Sequence, residues 1–319
     1  MQTLTFFLAY VFLTISLFAE KRLPNELGEI PIITYHKISD RENKLNRKPQ
    51  NMKADLEFFY KHDFVLVPLL SLVNGEIDIA FGKSPLVITF DDSSFGQFHW
   101  SKKGTIDPSS GIGIIEEFKK QHPDFGGTAT FFVTPCQGYP NNLFGEPEHT
   151  KEKLNQLLDL RYEIANHTCN HPNFQDNPEL VEKEIALSLL KIRDYLPEFE
   201  YAGIATPFGG FPKDKTQMQK LIFGEFRFEK EKKTIFYKNK YIADYSNRFS
   251  LSPFHKKFNP FRIRRLHWHE KAFQKFKLKL ESGAVDLYVS DGSVETITIP
   301  RHKQNEIALD TKRRTIQTY

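Results

Sequence analysis

The sequence predicts an α/β fold: a largely parallel sheet interleaved with helices and curled into a closed or nearly closed (β/α) barrel. Three observations lead there. Short buried-strand patterns alternate with amphipathic helical patterns over most of residues 30–222, which is how βα units read. Leu86-Val87-Ile88-Thr89-Phe90 is apolar throughout rather than alternating, as a strand covered on both faces must be. Polar residues able to bind a metal stand just past three of the strand patterns, where parallel α/β folds build their sites.

In chain order, residues 4–18 form an uncharged apolar run of 15 residues closed by Ala19 and then Glu20-Lys21-Arg22. A bilayer span needs about 20 residues, so this reads as a secretory signal peptide over residues 1–19. Met1-Gln2-Thr3 lacks the usual positive charge, which leaves an uncleaved N-terminal anchor as the alternative. We therefore expect export to the periplasm, cell envelope or exterior, no stable membrane span after cleavage, and one catalytic domain over 20–319 with its core at about 30–300. Strands are expected at 30–36, 86–90, 128–133, 162–166 and 201–205. Helices are expected at 52–62, 112–121, 151–160 and 178–196, where apolar residues recur at helical spacing. Beyond residue 222 the pattern loosens. It suggests a hairpin over 234–245 around Lys238-Asn239, a helix over 271–280, and strands at 285–289 and 295–299 flanking Ser290-Asp291-Gly292.

Composition narrows the function classes. Hydrophobic residues are 39% and charged residues 26% of 319, which excludes a polytopic membrane protein, a collagen-like fibre and a disordered tail. Lys and Arg total 44 against 40 Asp and Glu. The basic residues are dispersed apart from short runs such as Arg262-Ile263-Arg264-Arg265, so no nucleic-acid partner is expected. The 30 phenylalanines point to an aromatic-rich core. Two cysteines, Cys136 and Cys169, exclude a disulfide scaffold; they form one bridge in an oxidising compartment or remain two free, inert thiols.

Thr89-Phe90-Asp91-Asp92 ends an apolar strand with two carboxylates. Adjacent strand residues face opposite ways, so both serve one site only if the chain bends there. In His167-Thr168-Cys169-Asn170-His171 two imidazoles lie one helical turn apart or on one side of a tight loop, a spacing that lets both bind one divalent ion. Ala205-Thr206-Pro207-Phe208-Gly209-Gly210 follows a third strand.

In this order the segments resemble the polysaccharide deacetylases of carbohydrate esterase family 4, the NodB homology domain. Thr34-Tyr35-His36-Lys37-Ile38 is similar to the opening strand of many members. The resemblance covers most of residues 30–300 and implies a distorted, incomplete (β/α) barrel. It also implies a metal-dependent hydrolase that removes N-acetyl groups from a GlcNAc-containing polysaccharide such as peptidoglycan or an exopolysaccharide. Asp92, His167 and His171 would hold the metal, Asp91 would be the general base acting on a metal-bound water, and the backbone N–H of Phe208 would face the oxyanion. Zn²⁺ fits this donor set, and Co²⁺ and Ni²⁺ accept the same donors. The family's third motif has an Arg where this chain has Ala205; Arg262, Arg264 or Arg265 are the candidates to replace its charge. The family's fifth motif, which carries the general acid, has no clean match; Leu266-His267-Trp268-His269 is the nearest segment, making His267 or His269 the candidate acid and Trp268, with Pro207, a candidate substrate contact. A monomer is expected. The competing readings are a catalytically impaired glycan-binding surface protein on this fold and a C–N hydrolase of another amide.

Overall fold

The computed structural model describes residues 22–308, 311 and 314–319; the expected signal segment lies outside them. β1 (Ile32–Tyr35) leads into a short parallel pair, β2 (Lys37–Ile38) and β3 (Asn46–Arg47), then α1 (Pro49–Lys61), β4 (Phe64–Leu66) and α2 (Leu69–Asn74). β5 (Ser84–Asp91) is followed by α3 (Gly111–Gln121), β6 (Thr130–Val133), α4 (Thr150–Asp159), β7 (Glu163–Asn166), α5 (Val181–Ile192), β8 (Gly203–Ala205) and α6 (Lys215–Ile222). The remainder forms β9 (Phe223–Phe228), β10 (Lys233–Lys238), β11 (Tyr241–Ala243), β12 (Leu266–His267), α7 (Glu270–Glu281), β13 (Thr296–Ile299) and β14 (Thr315–Thr318).

Seven strands pair in the order β11-β8-β7-β6-β5-β1-β12, with β4 joined to the start of β5. Every pairing in this sheet is parallel. The result is a curled half-barrel. Between its edge strands runs the segment preceding β12: Ile263 N–H donates to the Ile242 carbonyl at 2.9 Å, and Asp244 N–H donates to the Ile263 carbonyl at 2.8 Å. Among the described residues, no helix is long and apolar enough to cross a membrane.

Burial follows the strand period of two. Ile33, Tyr35, Ile88, Phe90, Phe131 and Val133 pack into one cluster with Met52, Leu56 and Phe59 of α1, Ile112 and Ile115 of α3 and Ile185 of α5. Their neighbours Ile32, Val87, Phe132, Ala165 and Ala205 point the other way, into a second cluster with Leu69 and Leu72 of α2. All eight residues of β5 are buried, which explains its unbroken apolar run. Removing a ring such as Phe131, fully buried here, should cost about 3–5 kcal/mol. Gly127 sets the approach of β6: its φ is +55°, and a Cβ there would lie 1.9 Å from the Leu66 carbonyl oxygen.

Two expectations beyond residue 222 are corrected. The hairpin is β9–β10, antiparallel over 223–238, and Tyr241–Ala243 pairs with β8 in the main sheet. Lys238-Asn239 is therefore the exit from the hairpin; buried Asn239 donates to the Leu221 carbonyl at 2.7 Å. Residues 285–289 form isolated bridges to Asn25 and Glu29 instead of a strand, and β13 pairs parallel with β14. The Asp291 carboxylate accepts the hydroxyls of Thr296 and Thr298, at 2.6 and 2.7 Å, so this turn is tied to β13 rather than closing a hairpin.

Candidate functional site

The site lies at the carboxyl ends of β1, β5, β7, β8 and β12. β5 ends at Asp91, and the chain then turns through the left-handed region, with φ +76° at Asp92 and +46° at Ser93. That bend brings two adjacent carboxylates to one place. Asp92 Oδ1 is 3.5 Å from His167 Nε2 and 3.3 Å from His171 Nε2, and Asp91 Oδ2 is 3.8 Å from His167 Nε2. Ligand atoms of Asp92, His167 and His171 all fall within 4.8 Å of one another.

The histidine loop is held by its own side chains. Asn166 Oδ1 accepts the Thr168 N–H at 2.7 Å, and Thr168 Oγ1 accepts the His171 N–H at 3.0 Å. Glu184 accepts both the backbone and side-chain N–H of Asn170, at 2.7 and 2.9 Å. Thr168 has φ +68° and His171 +60°; for a β-branched residue this is an outlier, of the kind that clusters at functional sites. Cys136 and Cys169 are bridged, with Cα atoms 4.8 Å apart. The reading of each as a free, inert residue is therefore corrected: they tie the segment after β6 to the loop between the two histidines.

The donor set suits a divalent cation. His167 Nδ1 lies 2.8 Å from the Ala205 carbonyl, and donating there leaves the Nε2 lone pair directed to the trio. This outer hydrogen bond is the usual partner of a metal-bound imidazole. Two imidazoles and one carboxylate leave coordination positions open. Burial would raise the Asp92 carboxyl, but hydrogen bonds from His167 and His171 outweigh it and hold it well below the usual carboxylate range.

Asp91 is buried and gripped by Arg265. Nη1 donates to Oδ1 at 2.7 Å and Nη2 to Oδ2 at 2.9 Å. Arg265 is 1% exposed; it also donates to the Asp244 carbonyl at 2.8 Å and to Thr89 Oγ1 at 3.2 Å. Burial pushes the Asp91 carboxyl up, but Arg265 and then His167 more than reverse this, so it is ionised below the ordinary carboxylate range. Of the three candidate arginines, Arg265 is the one on Asp91. Arg262 stacks on the Phe211 ring, 3.9 Å from its centroid, and Arg264 lines a side cleft.

Phe208 has φ +58° inside the turn over 207–209. Its ring is 67% exposed and meets His171 edge-on, centroids 4.7 Å apart. Pro207, expected as a substrate contact, is buried at the start of that turn, where its fixed φ shapes the bend. Trp268 is likewise corrected. Its indole is buried against Phe59, Phe273 and Phe276 and donates to Asp55 Oδ2 at 3.0 Å, on the face opposite His267.

His267 Nδ1 is hydrogen-bonded to the Tyr245 hydroxyl, and its Nε2 is buried without a partner. Burial, then His36 and His269, lower its pKa to about 3. The His36 ring lies 4.8 Å from that of His267, and its Nδ1 is also buried and unpartnered. His36 is lowered first by burial, against the pull of Asp91 and Asp92. His269 sits at the start of α7, lowered first by burial and then by Lys44 and Arg47, a different charge environment. No sequence motif gives a role to His36 or Tyr245. The available signal for His36 was a polar ring ending the apolar run of β1; for Tyr245 there was none.

Residues 79–222 match the family model described as polysaccharide deacetylase. No curated protein matches the chain. Several solved structures share the fold. Streptococcus pyogenes deacetylase PplD, solved in complex with acetate, is 17% identical with a TM-score of 0.52, over 76% of this chain and 92% of that one. BC0361, a polysaccharide deacetylase from Bacillus cereus, is 16% identical with a TM-score of 0.53, over 79% and 69%. IcaB from Ammonifex degensii is 12% identical with a TM-score of 0.55, over 79% and 96%.

Proposed function

On the match of residues 79–222 to the polysaccharide deacetylase family, a family of hydrolases, we propose that this chain removes N-acetyl groups from a GlcNAc-containing polysaccharide such as peptidoglycan or an exopolysaccharide. The observation that carries this reading is an ionised, Arg-clamped Asp91 beside the Asp92–His167–His171 trio, 3.8 Å from His167.

A divalent cation held by Asp92, His167 and His171, with Zn²⁺ the first candidate, would supply Lewis acidity and lower the pKa of water at the site. Asp91, kept anionic and oriented by Arg265, takes a proton from the attacking water. As the new C–O bond forms at the acetyl carbonyl, the backbone N–H of Phe208 faces the developing oxyanion. The proton released by the water then passes through His267, fixed by Tyr245 and flanked by His36, to the leaving nitrogen. With its pKa lowered to about 3, His267 is neutral near pH 7, so it acts by taking up the proton that the attacking water releases and passing it on. The C–N bond breaks, giving acetate and a free amine. His267 is preferred over His269 because it is held by Tyr245 beside His36, whereas His269 faces Lys44 and Arg47.

The Cys136–Cys169 bridge supports an oxidising, exported setting. The test is acetate release from chitooligosaccharides and peptidoglycan by residues 20–319, after chelation and again with Zn²⁺ or Co²⁺ restored. Metal-dependent acetate is expected; a stoichiometrically metallated protein that releases none from either substrate would overturn the reading.

A further inference from the structure

The chain is near charge balance, with 44 basic and 40 acidic residues, but one face beside the candidate site is not. A cleft of about 500 Å³ runs beside β12 and α7, sharing His267 with that site and lined also by His269. Arg248, Arg264, Lys271, Lys275 and Lys279 line it, against a single carboxylate, Glu29. Among the described residues none of these five makes an ion pair within 4 Å, although Arg264 and Lys279 do act on the Glu29 charge.

Lys271, Lys275 and Lys279 recur every four residues and so share one face of α7, spread over about 12 Å of helix axis. Like charges at this spacing destabilise a helix by a few tenths of a kcal/mol per pair. Elsewhere on the same helix Lys277 does have an acidic partner, Glu281. A second hollow of about 240 Å³ shares Arg248 and Arg264 and adds Lys257 and Arg262, with Asp244 as its one carboxylate. The cationic track thus continues toward the segment following the Phe208 turn, where Arg262 covers Phe211.

We infer that the polysaccharide is anionic: a glycan with repeated carboxylate or phosphate groups lies along α7 while its N-acetylated unit occupies the site. This rests on the deacetylase reading. The test uses the full metallated protein with hexasaccharides of matched length, chitohexaose as the neutral probe and hyaluronan as the carboxylate probe. An N-acetylglucosamine polymer linked by phosphodiesters is the phosphate probe. At least one anionic probe should exceed the neutral one about tenfold in kcat/KM at low salt. The preference should fade at high ionic strength, as exposed charge pairs are screened. Lys271→Gln, Lys275→Gln and Lys279→Gln together should reduce the preference about tenfold without lowering Tm, because Gln keeps helix propensity. Binding of the same probes to the Asp91→Asn protein should follow the same order.

Equal kcat/KM for neutral and anionic probes, or a preference untouched by the triple variant, would overturn the inference and leave the deacetylase standing. Tight, lysine-dependent binding of an anionic probe without acetate release would instead sink the deacetylase and keep the cleft's specificity. Single-stranded DNA competing as well as the anionic glycan would show a general polyanion surface and overturn the glycan assignment.

Discussion

Arg265 reaches Asp91 from 174 residues further along the chain and binds both of its carboxylate oxygens. From the residue just before β12 it supplies the charge that the third motif of the polysaccharide deacetylases carries at the position of Ala205. Ala205 itself is fully buried and gives its carbonyl to His167. The same charge is delivered to Asp91 from the opposite edge of the sheet.

Arg265→Ala should therefore leave Asp91 buried without its counter-charge. Breaking one side of a buried pair costs about 3–5 kcal/mol, read as a lower denaturation midpoint. In the surviving folded fraction the Asp91 carboxyl rises, so the acid limb of the kcat profile moves to higher pH. An unchanged acid limb would remove Asp91 from the role of base. Arg265→Lys should recover part of the activity, since a point charge replaces a two-pronged one.

Asp91→Asn and His171→Ala should separate base from ligand. The first is expected to keep metal affinity within a few-fold while lowering acetate release by about 10²–10⁴. The second should lose metal affinity sharply, by competition against a chromophoric chelator. Metal lost from the Asp91→Asn protein would make Asp91 a ligand.

The Cys136–Cys169 bridge spans 33 residues. A loop of that length gives about 3.7 kcal/mol in the chain-entropy picture. The double variant Cys136→Ser, Cys169→Ser should lose stability on that scale by urea denaturation and hold metal less tightly. Wild type in reducing buffer should behave like it, and wild-type stability indifferent to reductant would argue that the bridge contributes nothing.

Glu26 is buried between the Tyr288 hydroxyl and the Thr298 N–H, both at 2.8 Å. Burial lifts its carboxyl to about 7. A folded-state value above the unfolded one gives stability that is complete below the unfolded pKa and lost as pH rises through about 7. Thermal denaturation should show Tm falling between about pH 5 and pH 8. Glu26→Gln should flatten that slope, and an equally steep slope in the variant would assign it to other groups.

Much of the sheet was legible because its strands are apolar on both faces; Leu86–Phe90 and Thr128–Val133 read directly as β5 and β6. The donor trio was legible because its residues stand in short motifs. What stayed hidden depends on distant parts of the chain. Nothing local to Arg265 distinguishes it from Arg262 or Arg264; its burial against Asp91 does. The fate of Trp268 was set by Asp55, which takes the indole N–H together with Arg47 and Tyr35. The hairpin was misplaced because strand pattern runs on from β10 into β11 across buried Asn239, and short strands late in the chain carry little periodicity of their own.

The linear order of the site has a consequence for how the protein is born. Asp92, His167, His171 and both bridged cysteines emerge within the first 171 residues, and Arg265 emerges well after them. Until it does, the nascent chain displays two carboxylates and two imidazoles with no guanidinium to occupy Asp91. That unfinished cluster is a different chelator from the mature one, with one more anionic donor free. A cation bound before Arg265 docks would therefore meet one more anionic donor than a cation bound after it.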